Sequence, residues 1–423
     1  MSRALLVLSA LAAILLAALV APLSPRATPP TVDVSSIERL EAAYAPGPDG
    51  GAWPLYAAAI ERLTAPPSAP SGRPLPGDAD WAPWATWHDA HAELLPDLHA
   101  AATKTRLGRP YFDVRRDAAA RSGMTFPLAH ASIPSLLELR RLANFLCIAA
   151  RVAEDDGRLD DALTHVEAAH GLARHLLARA TVIEQMIGFA LVSIAEDELD
   201  RLLRAHPDGW SRDRLRRLAA SPVCRFELRD LDDAAAHEWD FVREALDVIF
   251  SDDGHVDPHH AHGLLCHDDE QVAVSFFHQA RMLLHVDRAE TLRCLTERWE
   301  ASKRRGRSDP LASRETTPTE GTWTRLRRSL IDALDNSHVV AALARHLALT
   351  RVRRDRSAAL VASMLYRADH GRWPGAYDDL APLYLPGPVS DARPGLALAW
   401  VAAEGDGAPR FVSEARELER DRP

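Results

Sequence analysis

SLLELRRLANFLCIAARVAEDDGRLDDALTHVEAAHGLARHLLA, residues 135–178, decides the architecture of this chain. Apolar residues recur three and four apart up to Gly157, the signature of an amphipathic helix with a glycine stop. RLDDALTHVEAAHGLARHLLA then repeats the pattern as a return helix, so the two form an antiparallel hairpin. ATVIEQMIGFALVSIAEDELDRLLRAH, residues 180–206, predicts a third helix that ends before Pro207 and Gly209. Its middle, MIGFALVSIA, is apolar all round but only ten residues long. That is too short to cross a bilayer, so the segment reads as a buried core helix.

The helical pattern continues outward from this centre. Residues 223–250 predict a fourth helix, residues 269–305 a long fifth, and residues 324–369 a further long one. A hydrophilic stretch at 304–322 reads as an exposed joint. After the last helix, LALAWVAA and PRFVSEA are joined by EGDG and suggest a β-hairpin. The expected fold class is mainly α: antiparallel helical hairpins in a bundle, with a small α/β cap at the C-terminus.

Before the bundle, residues 28–80 are rich in proline, glycine and serine and read as a semi-stiff stalk with short helices such as residues 53–63. Four parts are expected: an anchor at 1–27, the stalk at 28–80, a helical domain at 81–322, and the long helix with its cap at 323–423. At the start of the helical domain Trp81, Trp84 and Trp87 stand three apart, and such a stripe reads as a packing face.

Ala4 to Leu23 is a run of twenty residues without a charge, long enough to span the hydrocarbon core. Leu19 and Pro22 stand where signal-peptide cleavage needs small residues and a free peptide bond, so an uncleaved anchor fits better than a leader. Arg3 precedes the span while Asp33 and Glu38 follow it. The positive-inside rule then gives a single-pass inner-membrane protein, N-terminus in the cytoplasm and bulk on the extracytoplasmic side. A cleaved signal peptide would export the bulk as well.

A net charge of −10 lacks the basic surface that phosphate contacts need, and nucleic acid is not expected as a partner. Nucleotide-binding glycine motifs and the serine-hydrolase GxSxG elbow are missing from the sequence. Cys147, Cys224, Cys266 and Cys294 form no CxxC. They allow two disulfides in three pairings, although Cys147 sits in an apolar run and reads as a small buried hydrophobe. Arg351, Arg353, Arg354 and Arg356 read as an exposed helical face.

The densest cluster of candidate ligands is HVDPHHAHGLLCHDDE, residues 255–270, with five histidines, four acids and a cysteine. His255, Asp257, His259, His262 and Cys266 are competent zinc ligands, and a helix begun at Pro258 would put His259, His262 and Cys266 on one face. Gly263 interrupts that helix, and no established histidine–acid spacing is present. A polar interhelical loop is the expected role, and no cofactor is expected. The alternative is a metal-dependent hydrolase in which zinc activates water, with Asp257 or Asp268 as base.

Two segments resemble known families. Ala150, Gly157, Ala162, Val166 and Ala169 take the small and apolar positions of a tetratricopeptide repeat, which implies a closely packed helical hairpin. YRADHGRWPGAYDDLAPLYLPGPVSDARPG, residues 366–395, resembles the region that follows the long helix in type II secretion pseudopilins. The likeness rests on Tyr366, Asp369, Gly371, Trp373, Pro374, Leu380, Tyr384 and Asp391 among others. It implies a helix that ends at Gly371 and a chain that folds back on it. The whole arrangement is also similar to uncharacterised membrane-anchored bacterial proteins with a helical middle and this ending. Together these features imply a non-enzymatic envelope scaffold, anchored by residues 4–23, whose partner is another envelope protein in a secretion or surface assembly.

Overall fold

The computed structural model describes residues 41–68, 73–111, 135–250, 288–311, 337–385, 389, 391–392, 396–401 and 408–412. Among these the chain is mainly helical, with one two-stranded antiparallel sheet near its end. The helices are α1 Trp53–Arg62, α2 Trp81–Asp89, α3 Leu95–Thr103, α4 Leu136–Asp155, α5 Leu159–Leu177 and α6 Val182–Ala205. They continue with α7 Arg212–Ala220, α8 Pro222–Arg225, α9 Leu231–Ile249, α10 Arg288–Ser308 and α11 Ser337–His370. Strands β1 Ala399–Val401 and β2 Arg410–Val412 pair with Trp400 opposite Phe411.

The central hairpin forms as its pattern demands. Helix α4 buries Leu139, Leu142, Leu146 and Ala150 on one stripe. At its end Gly157 adopts φ +75°, the left-handed conformation that a glycine enters without steric cost. Arg158 N then bonds Ala153 O at 2.7 Å, closing the turn into α5. Helix α6 starts on a reciprocal cap: Glu184 N donates to Thr181 Oγ1, and Thr181 Oγ1 donates to Glu184 Oε2. The apolar middle of α6 is buried, as its composition predicts, with Leu191, Val192 and Ala195 at 1% exposure or less.

Two apolar clusters hold the bundle. One joins α1–α6 to α9, α10 and the first half of α11; the other joins α4–α8 to the second half of α11 and the cap. Helix α11 serves both, so it is part of the helical body rather than a separate unit. Helix α1 also belongs to that body: Tyr56, Ala59 and Leu63 lie in the first cluster. Packing has drawn this part of the proline-rich stretch into the core instead of leaving it in a stalk. Trp84 and Trp87 are buried there too, edge-to-face with each other at 5.7 Å, and Trp87 meets Phe145 at 5.4 Å. The tryptophan stripe is a packing face.

Four features depart from the sequence pattern. The fourth helix is broken: α8 ends at Arg225, and α9 begins only after Asp230, whose Oδ1 accepts from Asp233 N. The N-cap Asp-Leu-Asp-Asp outweighs the continuous apolar periodicity there. Helix α7, capped by Ser211, follows the third helix where no element was expected. Helix α10 runs on to Ser308, so the exposed joint starts later than residue 304. The arginine run at 351–356 is not uniformly exposed: Arg353 pairs with Asp197 at 3.1 Å, and Arg354 donates to Phe226 O at 2.9 Å.

The C-terminal segment folds back as expected. Helix α11 stops at His370, and Gly371 takes φ +70°. Leu380 is then fully buried against the helix, and Tyr384 Oη donates to Asp369 Oδ2 at 2.7 Å. Tyr377, Trp400 and Phe411 pack edge-on and tilted against one another and tie the small sheet to this turn. No helix among the described residues is long and apolar enough to cross a membrane; residues 4–23 lie outside them.

Candidate functional site

A cleft of about 400 Å³ opens where α3, α5 and α6 meet the short α8 turn. Helix α5 supplies one wall. Thr164, Glu167, Ala168, Gly171 and Arg174 follow helical spacing and face the opening. Val223 and Phe226 form the opposite wall, and Val192 of α6 closes the back. Gly171 sets the closeness of α3 to α5: a Cβ there would stand 2.6 Å from the Ala102 Cβ and 2.8 Å from the Ala102 carbonyl. Only glycine permits this approach. Phe226 is held from behind by Arg354, which bonds its carbonyl and lies 5.8 Å over its ring.

His170 lines this cleft and is buried. Its Nε2 lies 3.5 Å from Oε1 of Glu196, which is itself 1% exposed. Neither atom has a hydrogen-bond partner, whereas Glu196 Oε2 accepts the hydroxyl of Ser357 from α11. Burial pushes the His170 imidazole down to about 3 and the Glu196 carboxyl up to about 8. Both shifts arise from the cost of holding charge away from water. At neutral pH the pair is therefore an uncharged imidazole facing a protonated carboxylic acid. A perturbed pair of this kind beside a cleft has the features of a candidate functional site.

The rim adds fewer free groups than its composition suggests. Glu167 is engaged by Arg214 at 2.9 Å. The hydroxyls of Thr103 and Thr164 donate to Ala100 O and Asp160 O of their own helices. His99 Nε2 meets His165 Nδ1 at 2.9 Å, and burial lowers both imidazoles, His165 to about 4. Arg174 spends one nitrogen on Ala102 O at 3.3 Å and has no carboxylate partner among the described residues.

A second cavity of about 420 Å³ is lined by Arg73, Arg140, Arg151, Asn144 and Trp84. Arg151 is committed here, bonded bidentately to the buried Glu198 and to the carbonyls of Arg73 and Pro74. Arg201 joins Glu198 to Glu154, and His206 bonds Glu154 at 2.8 Å. This is a salt-bridge network that locks α4 to α6.

The expected metal candidates His255, Asp257, His259, His262 and Cys266 lie outside the described residues. Among the described residues no group of three histidine, cysteine or acidic side chains is placed to hold a metal. Cys147 is fully buried, with its thiol raised to about 12 by burial, and Cys147, Cys224 and Cys294 are free thiols. Sequence reasoning passed over the cleft altogether. Glu196 was visible only as an acid that closes an apolar ten-residue run, and His170 only as one histidine among nineteen.

No family model, curated protein or solved structure matches this chain.

Proposed function

We propose that this protein is a non-enzymatic binding protein of the cell envelope, held on the membrane by residues 4–23, with its helical body on the extracytoplasmic side. The body acts as a scaffold, and the cleft between α5 and α8 is its recognition site. The observation that carries this reading is a concave, largely apolar opening lined by a buried histidine, His170, whose Nε2 faces the buried Glu196 behind it without a hydrogen-bond partner. Apolar walls supply affinity, and a few fixed polar groups supply orientation, the general composition of a ligand site. The pseudopilin-like end adds support for a role in an envelope assembly, since its fold-back cap packs against the same long helix that carries Ser357.

The test uses the full chain in lipid nanodiscs, screened by fluorine NMR against small apolar fragments with acidic, basic and neutral heads. At least one head class is expected to bind, and Ala168→Trp, which fills the cleft from the α5 wall, is expected to abolish that binding with the fold intact by circular dichroism. Fragment binding that survives Ala168→Trp, or no binding in any class, overturns the reading.

A further inference from the structure

We propose that the cleft takes a small organic carboxylate with an apolar body, and that Glu196 passes its proton to His170 as the carboxylate seats. The inference rests on the reading of the cleft as a recognition site and names the ligand class.

Charge on the rim points to an anion. Glu167 is neutralised by Arg214, which also reaches Asp160 at 3.3 Å, while Arg174 carries no carboxylate of its own among the described residues. An anionic head therefore meets a guanidinium that holds one carbonyl and keeps its other N–H donors for a carboxylate. Leu177, Val192, Val223 and Phe226 leave an apolar space for the remainder of the molecule.

The floor supplies the second contact. His170 Nε2 is turned toward Glu196 Oε1, so Nδ1 is the nitrogen left to serve a ligand. With Glu196 protonated, its Oε1–H faces Nε2 and favours the imidazole tautomer that carries hydrogen on Nδ1. That Nδ1–H donates to the incoming carboxylate. The negative charge then favours imidazolium: the Oε1–H bond breaks, an Nε2–H bond forms, and Glu196 becomes a carboxylate. Net charge is unchanged, because one proton has moved within the pair. The new carboxylate keeps the Ser357 hydroxyl as donor on Oε2, and Arg353 and Arg356 lie near enough to favour it. Seating of the ligand thereby draws Nε2 and Oε1 from 3.5 Å into a charge-assisted hydrogen bond, the stronger kind. A neutral ligand of the same shape gains nothing from the transfer.

Calorimetry on the full chain in nanodiscs at neutral pH, with 4-phenylbutyrate and its amide, tests this. The carboxylate is expected to bind at least about tenfold more tightly than the amide. Glu196→Gln, which keeps a donor toward Nε2 but has no acidic proton, is expected to narrow the gap to the preference that Arg174 alone confers. Saturation with 4-phenylbutyrate is expected to move the His170 ring nitrogens to imidazolium shifts. Equal affinities in the unaltered protein, or a preference undiminished by Glu196→Gln, overturn the inference and leave the cleft as a binding site. Binding of neither probe, while other fragments bind, also overturns it. Failure of every fragment overturns the underlying reading as well. If Glu196→Gln does not fold, Arg174→Gln on the rim substitutes: loss of carboxylate affinity alone supports the inference, and equal loss for the amide overturns it.

Discussion

Replacing Glu196 with glutamine is expected to change how stability depends on pH on both sides of neutrality. The folded chain holds the Glu196 proton up to about pH 8, whereas an ordinary glutamate releases it near 4.5. It also keeps His170 neutral down to about pH 3, against an ordinary value of 6.5. Between 6.5 and 8 the unfolded chain has lost both protons while the native chain retains the one on Glu196. The unfolded state then binds fewer protons, so stability falls as pH rises. About one and a half units at about 1.4 kcal/mol each gives a loss of about 2 kcal/mol across this window. Between 4.5 and 6.5 the two groups act in opposite directions and cancel. Below 4.5 the histidine dominates, and stability falls as acid charges it in the unfolded chain.

Glutamine has no proton to release, so Glu196→Gln is expected to lose the alkaline arm and to extend the acid arm up to 6.5, because nothing then cancels the His170 slope between 4.5 and 6.5. Urea unfolding of the full chain, followed by the fluorescence of buried tryptophans such as Trp84 and Trp87, measures both proteins at the two ends of the alkaline window. The quantity read is the difference between their losses, which removes every other titrating group. Equal losses in the two proteins would refute the reasoning, because Glu196 would then already be ionised in the folded state.

Two further outcomes are expected. Arg151→Met strands the Glu198 carboxylate at 0% exposure with Arg201 as its remaining cation, and is expected to cost about 3 kcal/mol in urea unfolding; an unchanged midpoint would show that Glu198 does not depend on Arg151. The full chain is expected to stay with membranes through an alkaline carbonate wash, and removal of residues 1–27 to release it; release of the full chain by the wash alone overturns the anchor.

Local patterning made most of the helical body legible. The hairpin of α4 and α5 was readable because one stripe, one glycine and one charged turn all indicated the same answer. The C-terminal fold-back was readable for a similar reason, since Gly371 and Pro374 leave the chain few ways to continue. Reading failed where two local signals competed. At 226–230 an apolar period argued for one helix, and the cap at Asp230, whose Oδ1 accepts from Asp233 N, made two. At 53–63 the helix itself was readable, but not that Tyr56 lies buried beside His175, 3.3 Å from its Nδ1. Composition reports what a segment is made of, whereas its burial depends on neighbours more than a hundred residues away.

The same distinction explains why the cleft was not legible. Attention to residue density leads to 255–267, where possible ligands crowd together in sequence. That stretch lies outside the described residues. What sets His170 and Glu196 apart is the withdrawal of water, and that is produced by three helices whose contributions lie at residues 170, 196 and 357. No periodicity within one helix records such a meeting. The one local trace is Glu196 itself, an acid placed where the α6 stripe calls for an apolar side chain. A buried carboxyl without an obvious cation on its own helix demands a partner elsewhere. Here the partners are a serine on one neighbouring helix and a histidine, short of hydrogen-bond geometry, on another. A carboxyl that served packing alone would gain from a complete set of hydrogen bonds; the gap left at Oε1 and Nε2 is the feature that packing does not account for.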